Sequence, residues 1–275
     1  MEEELVFLKN KAQKMRQEII TMIYKAQSGH PGGSLSSTDI MVALYFSELN
    51  IDPTNPQWKL RDRMILSKGH CCPVLYTALA MRGYFDMEIL GTLRQMGSIL
   101  QGHPYMNKVP GIDMTTGSLG QGLSVGVGMA IGAKADDLPS RIFVLIGDGE
   151  CNEGQIWEAA MCAAKYKLNN LIAIIDQNGL QNDGFTREIM PTESLADKWN
   201  AFGWQVLSID GHNMTDILKA FKTAKQIHDK PVCIIAKTVK GKGVSFMENV
   251  PVWHGKAPNS EEYMIAMQEL KEGIV

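Results

Sequence analysis

The 275-residue sequence lacks the signatures of several protein classes. It has no C-x-x-C pair and an odd number of cysteines, five, so we expect neither a zinc site nor a disulfide framework. No run of 18 apolar residues occurs and the amino-terminal stretch has no secretory core, so we expect a cytoplasmic protein without a membrane span. The net charge of −3 gives no reason to expect nucleic acid or a membrane surface as partner.

Two apolar runs organise the sequence into a predicted sheet. Residues 142–146 and 171–175 each predict a strand that is buried on both faces, as in a parallel sheet. A helical stretch separates them, so the three elements form a right-handed crossover. With 45% apolar residues and no internal repeat or linker, we expect a single α/β domain over residues 1–275. Its central sheet should be mostly parallel, with helices on both faces.

Asp148 and Asn178 fall just past the carboxyl ends of these two strands, where open α/β sheets bind ligands. A carboxylate and an amide oxygen are hard ligands that suit Mg²⁺ or Ca²⁺. Gly147 and Gly149 leave the backbone open to a bulky anion. The sequence lacks both the G-x-x-x-x-G-K-S/T P-loop and a G-x-G-x-x-G after a strand, so we favour a metal-bridged diphosphate over a nucleotide. An ordinary strand-end turn with a capping Asp is the alternative.

Four of the six histidines lie in loops bounded by glycine or proline: His30, His70, His103 and His254. Four such loops beside a metal–diphosphate motif indicate an active site, although His30 by itself could cap the preceding helix instead. His212 lies in a loop that caps a helix, so we expect it to be structural. Lys240 and Lys242 are expected on a solvated face.

The helix predicted to begin near residue 120 carries two rows of small residues at i, i+4 spacing. One row is Gly120, Ser124, Gly128 and Gly132, and the other is Gly122, Gly126 and Ala130. Each helix glycine costs about 1 kcal/mol relative to alanine, so close packing should compensate for it. Two interpretations remain open, which are contact with another subunit beside the diphosphate and packing within the monomer.

These motifs resemble the N-terminal, thiamine diphosphate-binding domain of the transketolase family over nearly the whole chain. Gly147-Asp148-Gly149, followed after residues 150–176 by Gln177-Asn178, is similar to the thiamine diphosphate motif. The other stretches that carry the resemblance are residues 28–32, 67–70, 101–104, 115–122, 153–154, 210–212 and 254–255.

The resemblance implies a role for individual residues. Thiamine diphosphate would be held by His70, Gly117, Ser118, Leu119, Gly149, Glu153, Asn178 and His254. Mg²⁺, or Ca²⁺ or Mn²⁺ in its place, would be bound by Asp148, Asn178 and the carbonyl of Leu180. His30 and His254 would shuttle protons at the substrate oxygens, and His103 would hydrogen-bond the C1 hydroxyl of the donor. Glu153 would contact the activating glutamate of another polypeptide.

The resemblance also implies a reaction and a partner. The reaction would move a two-carbon ketol unit from a ketose, or ketose phosphate, to an aldose or aldose phosphate. A full transketolase has two further domains, so we expect a separate subunit that carries the pyrimidine-binding and C-terminal domains. Closed two-fold symmetry favours two copies of each chain. The isolated chain should then show no transfer.

Several residues depart from the family pattern and leave the substrate open. Residues 150–152 are unusually polar, Cys71 and Cys72 replace smaller residues, Ser118 stands where proline is usual, and Trp253 precedes His254. One alternative is a related thiamine enzyme, of the deoxyxylulose-phosphate synthase type or a specialised sugar ketol transferase. His103 and residues 28–31 favour ketol transfer over the synthase. Another alternative is a non-catalytic protein, either cofactor-binding or a scaffold.

Overall fold

A computed structural model describes residues 2–273 of the protein. Its strands are β1 (Arg63–Leu66), β2 (Ile142–Gly147), β3 (Leu171–Gln177), β4 (Leu180–Gln181), β5 (Gly184–Phe185), β6 (Gln205–Asp210) and β7 (Val232–Lys237). Five of them form one sheet in the order β1-β2-β3-β7-β6, and all its pairings are parallel. The short strands β4 and β5 pair with each other in an antiparallel hairpin. The predicted parallel sheet is confirmed.

Helices connect the strands and cover the sheet. They are α1 (Glu2–Ala26), α2 (Pro31–Ser36), α3 (Thr38–Ala43), α4 (Cys72–Met81), α5 (Gln121–Ala135), α6 (Gly154–Lys165), α7 (Thr186–Ile189), α8 (Leu195–Ala201), α9 (Met214–Ala224) and α10 (Ser260–Glu272). Single 3₁₀ turns at Gly69–Cys71, Gly149–Asn152 and Pro251–His254 follow strands or lie in the loops that carry candidate site residues.

The sheet separates two apolar layers. Along β2, Phe143 and Leu145 pack with α1, α3, α4 and α9 on one face. The alternate residues Val144 and Ile146 pack with α5, α6 and α8 on the other face. Both faces are therefore buried, which explains the continuous apolar runs in the sequence. Within residues 2–273, no helix combines the length and apolarity needed to cross a bilayer.

Two segments differ from their predicted extents. The sequence predicts an irregular loop over residues 28–34, but the chain forms α2 from Pro31, because a proline at the first helical position has its φ already set for a helix. The sequence also predicts a helix over residues 214–228, but α9 ends at Ala224. There the N–H groups of Gln226 and Ile227 donate to carbonyls three residues back, which tightens the chain out of the α-helix.

The two small-residue rows of α5 face different surroundings. A Cβ at Gly122 would lie 2.3 Å from Ser67 Oγ, and one at Gly126 would lie 2.7 Å from Val144 Cγ2. This row lets α5 lie directly on the sheet within the monomer. Within residues 2–273, such a Cβ at Gly128 or Gly132 would have no heavy atom within 4 Å apart from its chain neighbours and its own helix backbone. Packing within the monomer therefore explains the row of Gly122 and Gly126. Contact of the open face at Gly128 and Gly132 with another subunit stays a prediction.

Candidate active site

The carboxyl ends of β2 and β3 bring the candidate metal ligands together. Asp148 is buried, and its two carboxylate oxygens accept hydrogen bonds from the N–H groups of Gly149 at 2.8 Å and Gly179 at 2.7 Å. The Asn178 amide donates to Asp176 at 2.9 Å and accepts from the Leu180 N–H at 3.1 Å. These turns fix a carboxylate, an amide oxygen and a neighbouring backbone at one strand edge.

The chemistry of this group fits a hard cation. Among residues 2–273, no three His, Cys, Asp or Glu side chains cluster in a way that could hold a metal, so a site here must also use amide and backbone oxygens. Burial, and then the charge of Asp176, raise the pKa of Asp148 to about 6. A divalent cation would relieve both effects. Coordination by Asp148, Asn178 and Leu180 stays a prediction.

Three of the predicted histidines meet in one cluster. The ring centroids of His30 and His70 are 5.1 Å apart, those of His30 and His254 are 5.5 Å apart, and those of His70 and His254 are 5.2 Å apart. His103 lies beside this cluster against Gly117, whose added Cβ would come 3.2 Å from the His103 ring. Three distant loops thus place imidazoles at the same end of the sheet.

The clustered histidines are neutral near pH 7. Burial is the largest cause, and it lowers the pKa of His30 and of His70 to about 4 and that of His254 to about 3. Neighbouring groups lower these pKa values further, chiefly His70 and Arg94 at His30 and Lys240 and His70 at His254. A cluster that disfavours further positive charge is suited to an anionic ligand.

The prediction of a solvated position for Lys240 is wrong, because this residue is buried and lies in the site. Its Nζ donates to the Leu180 carbonyl at 3.3 Å and to His254 Nδ1 at 2.9 Å. The chain of α2 covers it, since a Cβ at Gly32 would lie 3.0 Å from Lys240 Cγ. Lys242 is only half-buried and lies 3.5 Å from Glu248 in an ion pair. The pattern of lysines alone does not distinguish these two environments.

A buried ion pair beneath the site was also missed. Lys68 Nζ lies 2.5 Å from Asp176 Oδ2, and both residues are almost fully buried. Asp176 also accepts from Ser36 at 2.7 Å and from the Thr238 hydroxyl. Burial alone would raise the pKa of Asp176, but Lys68 and these hydrogen bonds hold it below its ordinary value. Asp176 thereby joins β3, β7 and the amino-terminal helices.

Glu150, which departs from the expected sequence pattern, has a structural explanation. Its buried carboxylate accepts from Ser67 Oγ at 2.5 Å, from the Gly120 N–H at 2.8 Å and from the Gly147 N–H at 3.0 Å. Burial raises its pKa, against the effect of these three donors. The residue therefore fixes the ends of β1 and β2 and the start of α5 to one another.

The remaining residues predicted to hold the cofactor lie near the segments that Glu150 joins. Gly69 and Gly117 approach so closely that a Cβ at Gly69 would lie 2.8 Å from the Gly117 nitrogen, which places the turn before α5 against the His70 loop. Ser118 is exposed and Leu119 half-buried in the same turn. Glu153 is exposed beside Gly120. The roles of these residues stay predictions.

His212 belongs to a separate structural network, as expected from its capping loop. Its Nδ1 lies 2.8 Å from Asp39 Oδ2, and its Nε2 accepts from the Val239 N–H at 2.8 Å. Arg16 binds the same carboxylate through two nitrogens, at 3.1 Å and 2.6 Å. Because Val239 directly precedes Lys240, this network supports the loop that carries the buried lysine.

The fold, with polar residues gathered at the carboxyl ends of its parallel strands, is that of a cofactor-binding α/β enzyme domain. Residues 8–272 match the family model described as the transketolase, thiamine diphosphate binding domain. The chain therefore belongs to the transketolase family and includes its thiamine diphosphate-binding domain.

Individual relatives agree with this assignment. The chain is 50% identical over 274 residues to a 6-deoxy-6-sulfo-D-fructose transketolase subunit of Clostridium sp. (strain MSTE9), with 99% of this chain and 100% of the relative covered. It is 47% identical to an apulose-4-phosphate transketolase subunit of Phocaeicola vulgatus, with 97% and 95% covered. It superposes on Campylobacter jejuni transketolase with a TM-score of 0.91 and 35% identity, over 96% of this chain and 42% of the other.

Proposed function

We propose that this chain binds thiamine diphosphate with Mg²⁺ and is the cofactor-binding subunit of a split transketolase. The proposed reaction transfers a two-carbon ketol unit from a ketose donor to an aldose acceptor. The observation that carries the proposal is a single sheet edge where Asp148, Asn178 and the Leu180 carbonyl lie next to His254, bridged to it by the buried cation of Lys240.

Metal and diphosphate would use different parts of this edge. The oxygens of Asp148, Asn178 and Leu180 would hold Mg²⁺, and Lys240 would face the diphosphate. The other groups proposed to hold the cofactor are His70, Gly117, Ser118, Leu119, Gly149, Glu153 and His254. When bound, thiamine diphosphate supplies the carbanion chemistry, while the protein supplies orientation and electrostatics.

The histidines are suited to hydrogen bonding and proton transfer at substrate oxygens. Lys240 donates to Nδ1 of His254, so the His254 proton resides on Nε2, which can donate to an oxygen. The buried Nδ1 of His30 has no hydrogen-bond partner among residues 2–273. We propose that His30 and His254 hold and move protons and that the exposed His103 hydrogen-bonds the C1 hydroxyl of the donor.

The substrate class follows from the relatives and from the charge of the site. Two relatives that align over nearly their whole lengths are named for 6-deoxy-6-sulfo-D-fructose and for apulose-4-phosphate. Both names describe ketoses with an anionic group at one end. The site offers Lys240 and, beside His30 and His103, Arg94 as positive charges. We propose a ketose donor that carries a phosphate or a sulfonate.

The open face beside the site is the proposed contact with a second subunit. Val125 on α5 is 37% exposed, on the same helix face as the uncovered Gly128 and Gly132. Glu153 is exposed near the same face. We propose that a separate chain with the pyrimidine-binding and C-terminal domains docks here, in a complex of two copies of each chain. Residues 1–275 would form one domain of that complex.

The cellular location is proposed from the thiols. All five cysteines are free, and four of them are buried. Reduced thiols are typical of the cytoplasm, and we propose that the complex resides there.

Calorimetry on the complex tests cofactor binding. The chain, co-expressed with a transketolase subunit that carries the pyrimidine-binding and C-terminal domains, should bind thiamine diphosphate only when Mg²⁺ is present. Asp148→Ala should weaken that binding about 100-fold, because one anionic metal ligand is lost. Absence of binding by the wild-type complex would support the scaffold interpretation instead.

Two further assays separate activity from assembly. Ketose cleavage with phosphorylated and sulfonated donors, compared with pyruvate decarboxylation, distinguishes ketol transfer from a synthase. Val125→Glu should weaken association with the partner subunit, because it places a charge on the proposed contact. Val6→Glu is the matched control, since Val6 is 54% exposed on α1, in the layer across the sheet. Equal association of both variants would contradict the proposed docking face.

A further inference from the structure

Arg94 adopts a backbone conformation that its residue type does not favour. Its φ is +60°, in the left-handed region where glycine and asparagine are preferred. The Arg94 N–H donates to the Leu100 carbonyl at 2.9 Å, which closes a turn over residues 94–100. A glycine would suit this backbone better than arginine does. The presence of arginine therefore points to a requirement for its side chain.

The side chain joins two of the histidine loops. Arg94 Nη1 donates to Ser28 Oγ at 2.9 Å, two residues before His30. Its Nη2 lies 3.4 Å from the Gly102 carbonyl, one residue before His103. The guanidinium lies directly against Gly102, where an added Cβ would be 2.9 Å from Arg94 Cζ. A planar group with several donors can bridge two loops in a fixed geometry, which a lysine cannot do.

The charge of Arg94 faces histidines and not carboxylates. Within residues 2–273, the ion pairs do not include Arg94. Burial is the main cause that lowers the pKa of His30 and of His103, and Arg94 contributes to both shifts. The other charged or titratable groups that face His30 are His70, His103, Lys240 and His254. His103 also faces His70.

We propose that Arg94 is a positioning residue that clamps the His30 loop to the His103 loop and sets the spacing of the two imidazoles for ketol transfer. The inference rests on the proposed function, because it concerns the histidines that would contact the donor sugar. Arg94 itself acts through these histidines, by its two hydrogen bonds and its charge.

Three variants in the full chain test the proposal. Arg94→Gly relieves the backbone and removes the side chain, so its thermal midpoint should be unchanged or higher while kcat/KM of the complex falls about tenfold or more. Arg94→Lys keeps the charge but not the planar group with several donors, and kcat/KM should fall similarly. Lys167→Gly is the matched control, because Lys167 is an exposed cation with φ of +49° at the distant end of α6. It should keep wild-type activity.

Histidine-ring NMR supplies a readout that does not depend on activity. In Arg94→Gly, the titration midpoints of His30 and His103 should rise, because a neighbouring positive charge is lost. They should stay near the wild-type values in Arg94→Lys and Lys167→Gly. Wild-type kcat/KM in Arg94→Gly, or unchanged midpoints in that variant, would overturn the proposal. If the wild-type complex transfers no ketol unit, the proposed function fails, and the NMR comparison still decides the role of Arg94.

Discussion

Replacing Lys68 with methionine should strongly destabilise the protein. Lys68 is 3% exposed and Asp176 is fully buried, and their charged atoms are 2.5 Å apart. Methionine fills most of the volume but leaves the Asp176 carboxylate without its counter-charge. Removal of one partner of a buried pair costs about 3–5 kcal/mol. Ser36, Thr238 and Asn178 still donate to Asp176, so we expect a loss near the lower end, about 3 kcal/mol.

Urea unfolding of the isolated chain, followed by circular dichroism near neutral pH, measures this loss. A domain is stable by about 5–15 kcal/mol, so the unfolding midpoint should move visibly. Lys237→Met is the control, because Lys237 is exposed at the end of β7 and should change stability by less than about 0.5 kcal/mol. The double variant Lys68→Met with Asp176→Asn should recover part of the loss. A single variant within about 1 kcal/mol of wild type, or a double variant no more stable than the single, would refute the reasoning.

Two further predictions concern other parts of the fold. Burial alone would raise the pKa of Asp39, but Arg16 and His212 outweigh it and hold the value at about 2. Because the pKa of Asp39 is lower in the folded state, its carboxylate stabilises the fold fully at pH values above its ordinary pKa. This stabilisation is lost as the pH falls through about 2. Between about pH 5 and pH 2, the free energy of unfolding of Asp39→Asn should therefore fall by about 2 kcal/mol less than that of the wild type. Equal losses in the two proteins would contradict this. Gly126→Ala should destabilise by about 1–3 kcal/mol, because its Cβ would meet Val144 at 2.7 Å, whereas Gly128→Ala, in open space, should stabilise the isolated chain by up to about 1 kcal/mol. Thermal unfolding of the two variants checks the sign of each change.

Patterns of neighbouring residues were enough to predict most of the fold. The apolar runs of β2 and β3 identify strands that are buried on both faces, and the polar residues that follow them locate the ligand edge. These features depend on residues close in sequence, so periodicity and strand length reveal them. The same reasoning located the glycine rows of α5, but it could not identify the residues against which a row packs. That assignment depends on Ser67 and Val144, which come from other parts of the sheet.

The charged residues of the site show where sequence reasoning fails. Lys240 follows the exposed end of β7 and has lysines on either side in sequence, at positions 237 and 242, so a solvated position was expected. Its burial results from α2 and from contacts with Leu180 and His254, which are distant in sequence. Lys68 likewise pairs with a carboxylate 108 positions away. A lysine shows no local signal of such a partner, because its aliphatic stem and charge suit either environment.

The carboxylate of Glu150 has a consequence for how a ligand would enter the site. It holds Ser67, Gly120 and Gly147 together through hydrogen bonds within the chain alone. The segments at this edge are thus ordered relative to one another before a ligand arrives, so association need not include the entropy loss of arranging flexible loops. The heat-capacity change of cofactor binding should accordingly reflect only the surface that the cofactor and the partner cover, without a contribution from coupled folding.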